Sequence, residues 1–142
     1  MARERIRYKV ADNPAPDDVA TIDEALESFN RAAAALDGVR RLACFARLAN
    51  GRIIGGAVAR TWGQCCELQQ LWVDSEHRRG SVGRQLVTRV EAAARARGCI
   101  LMFLQAFSFQ APAFYCRLGF KSVCEFTGFP DGIIKYIMRK SL

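Results

Sequence analysis

Asp74-Ser75-Glu76-His77-Arg78-Arg79-Gly80-Ser81-Val82-Gly83-Arg84 is a polar, glycine-punctuated loop that runs directly into a helix. The helix is well marked. Val82, Leu86, Val90, Ala93 and Ala94 fall on one apolar stripe, Glu91 and Arg95 have the spacing of an i,i+4 ion pair, and Gly98 stands where a left-handed C-terminal cap belongs. The first turn of such a helix presents unpaired backbone N–H groups and the positive end of the dipole, so cations should avoid it. Yet Arg78, Arg79 and Arg84 gather there, and Gly80 and Gly83 let the backbone turn tightly and approach another group closely. This combination is unfavourable around an empty loop and favourable around an anion on which main-chain donors, dipole and guanidinium groups converge. A phosphate-bearing ligand resolves it; a solvated, glycine-containing helix entry is the plainer alternative. No Gly-Lys-Ser/Thr follows and the glycine spacing is not that of a dinucleotide fingerprint, so the NTP-loop and GxGxxG readings drop out.

Upstream, residues 4–10 alternate and end in Tyr8-Lys9-Val10, which predicts a first strand broken by Asn13-Pro14-Ala15-Pro16. Asp17 and Asp18 suit a helix N-terminus, and Val19, Ile22, Ala25, Leu26 and Phe29 recur at helical spacing; residues 32–36 read as a second short helix stopped by Asp37-Gly38. Residues 41–48, a two-residue Asn50-Gly51 turn, residues 52–61, a Trp62-Gly63 turn and residues 66–73 make an antiparallel three-strand meander. Downstream, residues 99–107 are nearly all apolar and predict a strand covered on both faces, as in parallel pairing. Residues 110–118 predict a short helix closed by Gly119, and residues 120–126 and 133–139 two last strands. One domain over residues 1–142 suits this length, with no repeat and no compositional linker.

Apolar residues make up 51% and charged ones 25%, which excludes a disordered or fibrous chain. The formal charge is +7, and 17 of the 21 cations are arginine, so an anionic partner is expected. The arginines are scattered and their densest group is already accounted for by the loop, which argues against a nucleic-acid stripe. Apolar runs are too short for a bilayer span and the N-terminus lacks an apolar signal core, so a cytoplasmic protein without a membrane partner is expected. Cys44, Cys65, Cys66, Cys99, Cys116 and Cys124 form no CxxC pair and sit mostly in apolar stretches, which predicts packed, reduced thiols and no metal site.

The loop resembles the signature of the GCN5-related N-acetyltransferase (GNAT) family, Arg/Gln-x-x-Gly-x-Gly/Ala between a strand and a long helix. Arg78 fills the first position, Ser81 replaces the first glycine and Gly83 matches the last. The segment Ala111-Pro112-Ala113-Phe114-Tyr115-Cys116-Arg117-Leu118-Gly119-Phe120 is similar to the family's second motif, in which a short helix ends in Tyr-x-x-Leu-Gly-Phe. The order of elements matches over nearly the whole chain. The resemblance implies an α/β (α+β) fold, a mixed, mostly antiparallel central sheet flanked by helices, with a splayed parallel pair of strands around the cofactor. A left-handed backbone at Ser81 would cost this non-glycine residue roughly 1 kcal/mol.

The family transfers an acetyl group from acetyl-CoA to a primary amine, and acetyl-CoA, without a metal, is the cosubstrate that the resemblance implies. The pyrophosphate would lie over the N–H groups of Arg79, Gly80, Ser81, Val82, Gly83 and Arg84, with Arg78 and Arg84 as side-chain candidates. The pantetheine arm would pair with the backbone of Leu71, Trp72 and Val73 as an added strand does, their side chains serving ordinary strand packing. An alkyl ammonium near pKa 10.4 must lose a proton before attack, and Glu67 at the start of its strand is the base candidate, with Asp74 or a relayed water behind it. Tyr115 matches the family's usual donor to the departing thiolate. A ping-pong route through Cys116 is not favoured, since attack in a ternary complex needs no covalent step and a packed cysteine is expected there. His77 is read as a surface or phosphate-neighbouring residue. The acceptor, a small-molecule or peptide amine, would be met by residues 29–36 and 127–132; a catalytically silent acyl-CoA-binding module is the alternative. The family's frequent dimerisation allows a homodimer.

Overall fold

The computed structural model describes residues 4–142, so the first three residues of the segment read for a signal core lie outside it. The chain divides into two units, Met1–Leu36 and Asp37–Leu142. In the first, residues 4–10 are not a strand. Alternation creates a strand only where a partner completes the ladder, and these residues join none. Helix α1 spans Pro16–Ala33, with Pro16 in its first turn, Asp17 and Asp18 beside it, and a Glu27–Arg31 pair at 2.8 Å near its end. It runs through Ala32 and Ala33 without interruption. The second short helix expected there is only a 3-10 turn at Leu36–Gly38, because Ala34 adopts an extended conformation.

The second unit is built on a six-stranded sheet of order β1-β2-β3-β4-β6-β5. Its strands are β1 (Arg40–Arg47), β2 (Ile53–Trp62), β3 (Cys65–Val73), β4 (Leu101–Phe107), β5 (Lys121–Phe126) and β6 (Lys135–Ser141). Every pairing is antiparallel except β3–β4. The β1–β2 turn differs from the two-residue form: Gly51 donates to Leu48 C=O at 2.9 Å and Leu48 to Arg52 C=O at 3.0 Å. The loop therefore has three residues, with Gly51 at φ +87° in the left-handed place that such loops reserve for glycine.

Helix α2 (Val82–Ala96) crosses one face of the sheet and buries Leu86, Val87, Val90 and Ala94 against Ala57, Ala59, Cys66, Leu68, Met102 and Met138. Gly98 caps it at φ +87°. In β4 only Met102, Leu104 and Ala106 are buried; Gln105 is exposed and the rest intermediate, so the strand is not covered on both faces. Its apolar run reflects one packed face and a half-covered one. Short α3 (Pro112–Arg117) follows β4. Among the cysteines, Cys66 and Cys99 are buried and Cys44 intermediate, whereas Cys65, Cys116 and Cys124 are exposed, contrary to the packed thiols expected. Arg97 ties the end of α2 to the meander, donating to Arg40 C=O, Arg41 C=O and the buried Thr61 Oγ1 at 3.0 to 3.3 Å.

Candidate active site

Strands β3 and β4 pair in parallel only from Cys65↔Leu101 to Leu68↔Leu104. Beyond that point β3 continues along β2 to Val73 and β4 along β6 to Phe107, so the two separate and leave a fork. A β-bulge helps open it: Ala59 pairs with Leu68 and Val58 with Gln70, which leaves Gln69 unopposed. The bulge shifts the alternation, so that Leu68 before it and Leu71 and Val73 after it all pack toward the α2 core. This irregularity was not anticipated. Its signal is the adjacent pair Gln69-Gln70, across which the apolar positions move from even to odd numbers.

A cleft of about 760 Å³ occupies the fork. Leu71, Trp72 and Val73 form one wall, Gln105, Ala106 and Phe109 the other, and Arg78, Arg79, Gly80 and Gly83 stand at the α2 end. Past Leu68 the edge of β3 that faced β4 lacks a sheet partner. Leu71 and Val73 pack as expected, but Trp72 is 52% exposed and does not serve strand packing. Among the described residues the backbone N–H groups of residues 79–84 meet no backbone acceptor, consistent with their place before and within the first turn of α2.

Strain in the loop falls at Arg79, with φ +65°, while Ser81 sits at φ −91°. The left-handed penalty considered for the serine therefore does not arise there. Arg78 donates its Nε to Val73 C=O at 2.8 Å, pinning the loop to the end of β3. Gly83 has an ordinary helical backbone, and what it provides is room: a Cβ there would meet the Phe114 ring at 3.4 Å. Ser81, Val82 and Arg84 are not among the residues lining the cleft, so their side chains take no part in its walls.

Tyr115 lies in α3, 9% exposed, edge-on to Phe114 at 5.2 Å and Phe120 at 5.9 Å. It lines the cleft, and its hydroxyl has no hydrogen-bond partner among the described residues. Burial pushes its pKa above the usual tyrosine value, which keeps the phenol protonated. Neighbouring Cys116 is exposed, so the packed role expected for it does not hold.

Glu67 does not line this cleft. It borders a smaller recess of about 360 Å³ with Leu68, Gln69, Gln70 and Gln105, four residues that also line the main cleft, so the two cavities share the fork as a common wall. Arg60 holds Glu67 through Nε and Nη2, each 2.8 Å from Oε2. Asp74 is committed to the loop: Arg52 stands at 3.7 Å, His77 Nδ1 at 3.5 Å, and its side chain accepts from Glu76 N–H. His77 lines the cleft beside the arginines. Of the two segments expected to meet the acceptor, only residues 127–132 belong to the unit that carries the cleft.

Residues 8–120 match the acetyltransferase (GNAT) family. The chain is 36% identical over 93 residues to the blasticidin-S acetyltransferase of Streptomyces morookaense, covering 65% of this chain and 68% of that relative. An acetyltransferase from Bacillus cereus has the same architecture, with a TM-score of 0.78 and 26% identity over 94% of this chain and 98% of that one. The PaiA N-acetyltransferase of Thermoplasma acidophilum, solved with coenzyme A, shares the fold at a TM-score of 0.59 and 21% identity, over 72% of this chain and 61% of that one. The protein belongs to the GNAT family of acetyl-CoA-dependent N-acetyltransferases, and its mixed sheet with one splayed parallel pair is the fold that the two motifs implied.

Proposed function

We propose that the protein acetylates the primary amine of a small molecule or peptide by direct attack on acetyl-CoA in a ternary complex. One observation carries this: a single fork between β3 and β4 receives both the protonated Tyr115 and the loop whose N–H groups at residues 79–84 lack acceptors among the described residues. The pyrophosphate lies over the N–H groups of Arg79, Gly80, Ser81, Val82, Gly83 and Arg84, with the Arg78 and Arg79 side chains, which line the cleft, nearby. These are the charges and free donors that bind such an anion. Pantetheine runs along the unpaired edge at Leu71, Trp72 and Val73. The thioester then reaches the fork at Leu68 and Gln105, and Tyr115 protonates the thiolate as the tetrahedral intermediate collapses.

The amine enters from the recess on the Glu67 side, and Glu67, through a water, accepts its proton. Both carboxylates have a cationic partner, Arg60 for Glu67 and Arg52 for Asp74, and Glu67 is preferred because it borders the recess that shares a wall with the fork, which Asp74 does not. The resemblance to a blasticidin-S acetyltransferase favours an amine-bearing antibiotic or similar small molecule as acceptor.

The test is release of free thiol from acetyl-CoA with a panel of such amines. Tyr115→Phe should lower kcat about a hundredfold while acetyl-CoA still binds. A protein stabilised equally by coenzyme A and acetyl-CoA, with no thiol released by any amine, would instead be a silent acyl-CoA-binding module.

A further inference from the structure

Glu91 is 5% exposed on α2, and neither cofactor binding nor proton transfer uses it. Its carboxylate receives Lys140 Nζ from β6 at 2.9 Å on Oε1 and 3.0 Å on Oε2, with Arg95 at 4.0 Å behind. A pair whose carboxylate is buried seldom adds net stability over apolar packing, so stability alone does not account for it. Lys140 supplies another reason. Its methylenes lie over Gly119, whose Cβ would stand 3.4 Å from Lys140 Cε, and its ammonium sits 5.9 Å from the centroid of Phe120. Phe120 in turn packs edge-on to Tyr115 at 5.9 Å and donates its N–H to Tyr115 C=O at 3.0 Å. Gly119, at φ +95°, is the hinge between them.

We propose that Lys140, oriented by Glu91, is the positioning residue that holds the α3 C-terminus against α2 and β6 and so sets the Tyr115 hydroxyl in the cleft. The contacts form one continuous path from α2 through β6 to the Gly119-Phe120 corner and Tyr115. An ammonium within 3.0 Å of both carboxylate oxygens is tethered to Glu91, whereas an apolar side chain at position 140 could slide. This role rests on Tyr115 being the proton donor, and it concerns where that donor sits rather than how tightly acetyl-CoA binds.

The test is a double-mutant cycle between Lys140→Met and Tyr115→Phe, following kcat, the KM for acetyl-CoA and Tm. Lys140→Met should lower kcat about tenfold with little change in the KM for acetyl-CoA, and Lys140→Arg should restore most of the loss. In the Tyr115→Phe background Lys140→Met should lower kcat no further. An equal loss in both backgrounds, or a fall in Tm with kcat unchanged, would overturn the positioning role. A Tyr115→Phe enzyme with full kcat would remove the donor assignment itself, and this role with it. Should Lys140→Met not fold, Glu91→Leu/Lys140→Met removes the pair without stranding a buried carboxylate and enters the same cycle.

Discussion

At the scale of single residues, Arg79 is where the loop carries backbone strain. A left-handed arginine costs about 1 kcal/mol relative to glycine, and φ +65° places it there while its backbone N–H has no acceptor among the described residues. Arg79→Gly relieves that strain, partly offset by the greater freedom of glycine in the unfolded chain. The variant should therefore unfold at equal or higher denaturant, by up to about 1 kcal/mol, and bind acetyl-CoA more weakly. Denaturant titration and calorimetry would measure the two effects separately; weaker folding with unchanged affinity would refute this account of the arginine. The residue types at this loop were legible in the sequence, since charge at a helix N-terminus is a local conflict. Which of them takes the left-handed backbone was not, because that depends on how the loop is anchored through Arg78 to Val73.

At the scale of elements, α2 lacks both an acidic residue in its first turn and a side-chain cap on Ser81. A helix of 15 residues with such an N-terminus keeps its donors and dipole available to a ligand instead of satisfying them internally. Ser81→Asp would set a carboxylate against the positive end of that dipole. It should stabilise the unliganded protein by about 0.5–1 kcal/mol and weaken acetyl-CoA binding through repulsion of the pyrophosphate. Parallel thermal melts with and without acetyl-CoA would show the crossover, and a variant that gains in both would contradict an anion site at this turn. The helix itself was readable from its 3.6-residue stripe and Gly98. The fork was readable only as an implication of the resemblance, because the Gln69 bulge that helps open it depends on how β3 registers with β2.

At the scale of the whole molecule, the sheet and α2 bury Cys66 completely, and burial, reinforced by neighbouring Cys99, pushes its thiol up to about 11 from 9.0. The folded state thus holds the proton more tightly than the unfolded chain does. This contribution is complete below pH 9 and is lost as pH rises from there through about 11. Tyr115, raised by burial too, adds a loss of the same sign above the usual tyrosine range. Equilibrium unfolding across that window should show stability falling with pH, and Cys66→Ala should flatten the fall; an equal slope in the variant would assign it elsewhere. By itself the sequence determined the three α-helices, the meander and the places of both motifs, because periodicity, glycine and charge act between near neighbours, although the 32–36 helix and the two-residue form of the Asn50-Gly51 turn did not hold. It misplaced what required a distant partner. Residues 4–10 alternate but join no ladder and Cys116 is exposed, while the Glu91–Lys140 pair, which joins residues far apart in the chain, was not read at all. Tertiary structure decided these because ladder bonds, burial and buried ion pairs are completed by groups that only folding brings together.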